Sequence, residues 1–159
     1  MQDKINHLVQ KIKKNATGKN TISSAESCTG GMIATSLTKI AGASQYFING
    51  FVTYSTEAKI RILNVDKTII DRYGVISEET AHAMAKNCLK ISKTDLSIAT
   101  TGITGPGGSN ESIPVGTVCF ALASQKNVWS YKHFFTGSRE IIRCKSTIYA
   151  LELINDWFN

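Results

Sequence analysis

At 159 residues, with 42% hydrophobic and 19% charged side chains, the chain has the balance of one globular domain, 1–159, and no apolar run long enough to span a membrane. Its start, Met1-Gln2-Asp3-Lys4, lacks the apolar segment and small-residue cleavage site of a secretory signal, so a cytoplasmic location is expected. The net charge of +6 suits an enzyme that attracts small anions; with no long basic cluster and no aromatic RNA-binding signature, nucleic acid is the weaker alternative.

Ile5, Leu8, Val9 and Ile12 fall at helical spacing and predict an amphipathic helix over Asn6 to Lys14, ending near Gly18. A short strand follows from Thr21 to Ala25. The polar turn Ala25-Glu26-Ser27-Cys28-Thr29-Gly30-Gly31 leads into a helix from about Thr29 to Ile40. Tyr46 to Tyr54 is aromatic and β-branched and reads as a strand, with Gly50 marking a bulge or a close backbone approach. Ser55 is placed to cap a helix holding Ala58, Ile60, Ile62 and Leu63, and a shorter helix covers Lys67 to Arg72 before Gly74. Ser77-Glu78-Glu79 starts another helix, whose stripe of Ala81, Met84, Ala85, Cys88 and Leu89 reads as core.

Leu96 to Thr101 is a compact buried strand. The segment from Gly102 to Gly116 holds both prolines and five of the twelve glycines, the composition of a shaped loop. Val115 to Ala123 and Val128 to Phe135 form an antiparallel pair across Gln125-Lys126-Asn127. Ser138 caps a last helix, with Ile141, Cys144, Ile148, Leu151 and Ile154 on its buried side. The order of elements implies a three-layer α/β/α sandwich with a mixed, mostly parallel sheet.

The chemistry converges on Ser27. A glycine-bearing turn between strand and helix can offer backbone N–H groups, here those around Cys28, Thr29, Gly30 and Gly31, to an oxyanion or a bound anion. Taken alone, Ser27 or Thr29 could equally be a helix cap, and Cys28 is a rival nucleophile. His7, His82 and His133 are isolated, so no Ser-His pair is legible; Lys59, near the start of a helix, can act as base if burial lowers its pKa, with Tyr54 orienting it or relaying a proton. The loop bearing Thr101, Gly102, Thr104 and Gly105 can bring backbone close to a ligand. Arg139 and Arg143, four apart in the first turns of the last helix, sit where the dipole opposes cations; they serve an anionic ligand or pair with an acid such as Glu140. The scattered cysteines, Cys28, Cys88, Cys119 and Cys144, and the lone histidines give no metal-ligand spacing, so neither metal nor cofactor is expected.

Five motifs then occur in order: Ala25-Glu26-Ser27-Cys28-Thr29-Gly30-Gly31; Val52-Thr53-Tyr54-Ser55 with Ala58-Lys59; Val75-Ile76-Ser77-Glu78-Glu79; Thr101-Gly102-Ile103-Thr104-Gly105-Pro106; and Pro114-Val115-Gly116-Thr117-Val118. From about Asn20 to the C-terminus the chain resembles the CinA C-terminal domain family, the nicotinamide-nucleotide amidohydrolases. The resemblance implies hydrolysis of the carboxamide of nicotinamide mononucleotide to nicotinate mononucleotide and ammonia, in pyridine nucleotide recycling. It implies Ser27 as nucleophile, Lys59 as base with Tyr54, Thr101 in the substrate loop, and Arg139 or Arg143 on the phosphate side, without a metal. Asn49, Thr56, Ile113 and Ser138 depart from the family's usual residues, and these bear on substrate positioning more than on the Ser-Lys pair. A non-catalytic nucleotide-binding module of the same fold is the alternative. The expected partner is a small nucleotide substrate, with the chain forming a homodimer or higher homo-oligomer.

Overall fold

Large and small apolar residues alternate along the central strands, and that alternation sets the layering. A computed structural model describes residues 1–158. Among the described residues one sheet has five strands: β1 (Ile22–Glu26), β2 (Phe47–Val52), β3 (Leu96–Gly102), β4 (Thr117–Ser124) and β5 (Val128–Phe134). Their spatial order is β2-β1-β3-β4-β5. β1 pairs in parallel with β2 and β3, whereas β3–β4 and β4–β5 are antiparallel. Only β4 therefore runs against the other strands.

Ile22, Leu96, Ile98, Val118, Phe120 and Leu122 face a core shared with α1 (Gln2–Ala16), α2 (Met32–Thr38) and α6 (Arg139–Trp157). Each fully buried leucine or isoleucine there contributes roughly 2 kcal/mol. The opposite face is built from Ala25, Ala99, Cys119, Ala121 and Ala123. These small side chains let α5 (Glu78–Ser92) lie close to the sheet, and the Ser97 hydroxyl donates to the Ala85 carbonyl at 2.6 Å. α3 (Thr56–Leu63) and α4 (Lys67–Tyr73) complete this layer. The expected three-layer α/β/α arrangement is thus the observed one, and no helix among the described residues is long and apolar enough to cross a membrane.

Three serine caps fall where the sequence puts them. Ser55, Ser77 and Ser138 accept from the N–H groups of Ala58, Thr80 and Ile141 at 3.0, 3.1 and 3.3 Å. Gly50 is a close approach: a Cβ there would lie 2.8 Å from Ser24 Oγ. The β1–β2 register also slips between Ile22 and Ser23. β2 is an edge strand, and Ile48 and Val52 are half exposed on it, at 50% and 51%.

Two expectations need correction. α2 begins at Met32, not near Thr29, because Gly30 and Gly31 adopt positive φ of 59° and 94° and extend the turn. The buried side of α6 is not the stripe beginning at Ile141 and Cys144. Ile141 is exposed and Cys144 half-buried, while Ile142, Ile148, Leu151 and Ile154 are buried. α6 packs against α1 and α2 as well as the sheet, so its covered face is broad, and Ile141 in its first turn lies beside Gly137.

Candidate active site

β1 lies at the point where the chain's connections leave in opposite directions, to β2 on one side and β3 on the other. In open α/β sheets the crevice beyond the carboxyl ends of such strands is where ligands bind. Here that crevice lies just past Glu26, the last residue of β1. Its side chain is 1% exposed, yet its carboxylate is fully engaged. Oε2 accepts from the N–H groups of Gly31 and Ile33 at 3.0 and 3.1 Å, and Oε1 from Ala34 at 2.8 Å. The buried charge is balanced by three charge-assisted bonds and the positive end of α2. Glu26→Gln swaps one acceptor for a donor facing an N–H group and should cost about 2 kcal/mol, measured as a lower urea unfolding midpoint with an unchanged slope.

This carboxylate changes the anticipated oxyanion donors. The N–H of Gly31 is held by Glu26, and that of Gly30 donates to Ser27 O at 3.0 Å. Among the described residues the N–H groups of Cys28 and Thr29 donate to no other residue, and of these two only Cys28 lines the crevice.

Ser27 follows directly, its N–H donating to Thr100 O at 3.0 Å across to β3. Lys59 comes from the start of α3, which follows the neighbouring strand β2. Its ε-amine lies 2.9 Å from Ser27 Oγ, 2.9 Å from Thr53 O and 3.3 Å from Tyr54 O. Lys59 is 1% exposed and, among the described residues, pairs with no carboxylate. Burial disfavours the ammonium and lowers its pKa from 10.5 to about 8, with Cys28 opposing weakly. As an ammonium, Nζ donates to all three oxygens; on losing its proton the amine keeps two N–H groups for the carbonyls and turns its lone pair to the serine hydroxyl. Cys28 is no rival, because burial pushes its thiol up to about 12 and keeps it protonated at neutral pH.

A cavity of about 450 Å³ opens over this pair, within the range of small-molecule sites. Thr101, Gly102, Thr104 and Gly105 line it opposite Tyr54, and Arg139 closes one side. The Thr101 hydroxyl donates to Val75 O at 2.8 Å, which ties the loop to the segment before α5. Gly102 has no room for a side chain, since a Cβ would lie 2.7 Å from Thr117 O. Arg139 Nη1 donates to Thr104 Oγ1 and Gly105 O at 2.9 and 2.8 Å, and Nη2 to the Tyr54 phenol at 3.0 Å.

Several candidates stand elsewhere than expected. Thr29, Gly30, Gly31 and Arg143 do not line the cavity. Thr29 pairs its hydroxyl with Thr100 at 2.9 Å, and Arg143 donates to Thr29 O at 2.9 Å, so Arg143 braces the turn while Arg139 faces the cavity. Tyr54 meets Lys59 through its backbone carbonyl, while its phenol accepts from Arg139 Nη2 and the residue is 59% exposed. Sequence reasoning missed Glu26 and the Thr53 carbonyl. Glu26 carries a signal, an acid just ahead of a glycine turn and a helix; a backbone carbonyl carries none.

Comparison with known proteins gives this arrangement a context. Residues 3–158 match the CinA C-terminal domain. The chain belongs to the CinA C-terminal domain family. It is 46% identical over 140 residues to a CinA-like protein of Shewanella loihica, covering 87% of this chain and 33% of that protein. It is 44% identical over 143 residues to one from Chloroherpeton thalassium, covering 87% and 34%. The chain thus spans about a third of the length of these curated CinA relatives. The crystal structure of competence/damage inducible protein CihA from Agrobacterium tumefaciens is similar at a TM-score of 0.92 and 38% identity, covering 95% of this chain and 93% of that one. A competence or damage-inducible protein from Enterobacter asburiae gives 0.94 and 29%, with 98% of each chain covered. The CinA fold therefore extends over the described elements, β1 to β5 with their helices.

Proposed function

We propose that the chain is an amidohydrolase that converts the carboxamide of nicotinamide mononucleotide to nicotinate mononucleotide and ammonia. One observation carries the reading: Ser27 Oγ stands 2.9 Å from the amine of a lysine that is buried and, among the described residues, has no carboxylate partner. That is the arrangement of a serine nucleophile with a lysine base. Ser27 Oγ attacks the carboxamide carbon as its proton passes to Lys59 Nζ. The oxyanion receives the Cys28 N–H. Lys59 then gives the proton to the departing nitrogen, the C–N bond breaks, and ammonia leaves an acyl ester on Ser27. Water attacks the ester with Lys59 again taking the proton, the ester C–O bond breaks, and the proton returns to Ser27 Oγ as the nicotinate carboxylate departs.

Arg139 supplies a cation on the rim of the cavity, and its fork suits a phosphate. The test is an ammonia-release assay across nicotinamide mononucleotide and related amides; no release from any of them removes the reading. Within the same assay Arg139→Ala should raise KM for the mononucleotide on the order of tenfold with kcat changed less, since the interaction is made in the ground state as well. A lower kcat at unchanged KM would assign Arg139 elsewhere.

A further inference from the structure

The turn that carries Ser27 holds a cation that the proposed reaction leaves unused. Arg143 Nη2 donates to Thr29 O at 2.9 Å; among the described residues its buried Nε has no hydrogen-bond partner and its guanidinium pairs with no carboxylate. It also sits in the first turns of α6, where the macrodipole disfavours a positive charge. The turn is shaped to receive it: Gly30 is at φ 59°, and a Cβ there would lie 2.9 Å from Arg143 Nη2.

The hydrogen bonds behind Thr29 form a directed chain. The Thr29 carbonyl and the Gly30 N–H belong to one peptide group, and that N–H donates to Ser27 O at 3.0 Å. The Ser27 carbonyl and the Cys28 N–H belong to the next. Cys28 lines the cavity beside Ser27, and its N–H faces its own thiol and donates to no other residue among those described, so an incoming oxyanion meets only that weak acceptor as a rival. A cation on the first carbonyl draws electron density along both peptides, which makes each successive N–H a stronger donor. Such polarisation strengthens a hydrogen bond by roughly 10–30% at each step in condensed phases.

We infer that Arg143 is a positioning residue that fixes and polarises the Cys28 N–H as an oxyanion donor through two hydrogen-bonded peptide groups. The inference rests on the amidohydrolase reading. It makes Arg143 a contributor to the transition state without contact to substrate, because the negative charge the N–H meets develops only as Ser27 attacks.

Arg143→Met tests it. kcat for nicotinamide mononucleotide should fall about tenfold with KM within about twofold, and by the same factor for the phosphate-free riboside. In 15N-labelled protein the amide protons of Gly30 and Cys28 should move upfield while those of the β4–β5 hairpin stay. Arg143→Gln keeps a donor for Thr29 O without the charge; its kcat and shifts should lie between methionine and wild type, and it serves if the methionine variant does not fold. A KM rise confined to the phosphorylated substrate would make Arg143 an anion ligand and overturn the inference, as would unmoved Gly30 and Cys28 amides. If the wild type releases no ammonia, the functional reading falls, and the amide shifts decide the polarisation by themselves.

Discussion

Ser27→Ala is expected to lower ammonia release at least about a thousandfold while the melting temperature moves by no more than about 4 °C. The substitution removes the attacking oxygen and little else. Ser27 contributes its hydroxyl to Lys59, whose amine keeps the Thr53 and Tyr54 carbonyls as acceptors. The backbone of the turn is held by other means, through the Ser27 N–H on Thr100 O and the Glu26 carboxylate on α2. Cys28 cannot step in, since its buried thiol ionises only near pH 12. Melting followed by circular dichroism and ammonia release on the same preparation separate lost chemistry from lost fold. Turnover surviving in this variant would remove Ser27 as nucleophile.

Lys59→Met should abolish turnover by roughly a thousandfold, the scale of a lost general base. The wild type carries a sharper signature. Because burial sets the Lys59 pKa near 8, about a tenth of the molecules hold the free amine at pH 7, and kcat/KM should climb with pH and level off above about 8. The same shift acts on stability, in a direction set by linkage. Between pH 8 and 10.5 the unfolded chain still binds the proton that the folded chain has released, so stability rises with pH across that window. Below pH 8 both states hold the proton and the slope from this group vanishes. Relative to Lys59→Met, the wild type should gain on the order of 3 kcal/mol from pH 7.5 to 10.5 in urea unfolding. Parallel curves for the two proteins would mean that Lys59 ionises as an exposed lysine does.

The parts of this molecule that were legible in the sequence are those that use local rules. Ser55, Ser77 and Ser138 announce helices because a cap needs one side chain and its own following turn. β3 and the β4–β5 hairpin announce themselves by β-branched and apolar runs bounded by glycine, proline or asparagine. The boundary of α2 was misjudged because two positive-φ glycines let the chain delay its helix, and spacing alone does not report a backbone angle. The α6 face was misjudged because three neighbours cover that helix, and a single stripe presumes one. Within the site, Ser27 and Lys59 were visible as residue types in ordered motifs. Their separation of 2.9 Å was not, since it depends on two crossover connections closing onto adjacent strands. The division of labour between Arg139 and Arg143 was equally hidden. One helical turn along α6 carries the guanidinium from the cavity to the rear of the turn.

β2 is the outermost strand on its side, with a neighbour on one flank only. Yet the segment leaving it, Thr53 and Tyr54, holds Lys59 against Ser27. The working distance of the pair is therefore entrusted to the part of the sheet with fewest reasons to stay. Strands at such margins open at lower free energy than the whole molecule does. Ser24 fills the space left by the missing side chain of Gly50 on that margin, and its hydroxyl has no hydrogen-bond partner among the described residues. A margin that opens first would part Lys59 from Ser27 while the rest of the sheet holds, so ammonia release should be lost at a lower temperature than the far-UV circular dichroism signal.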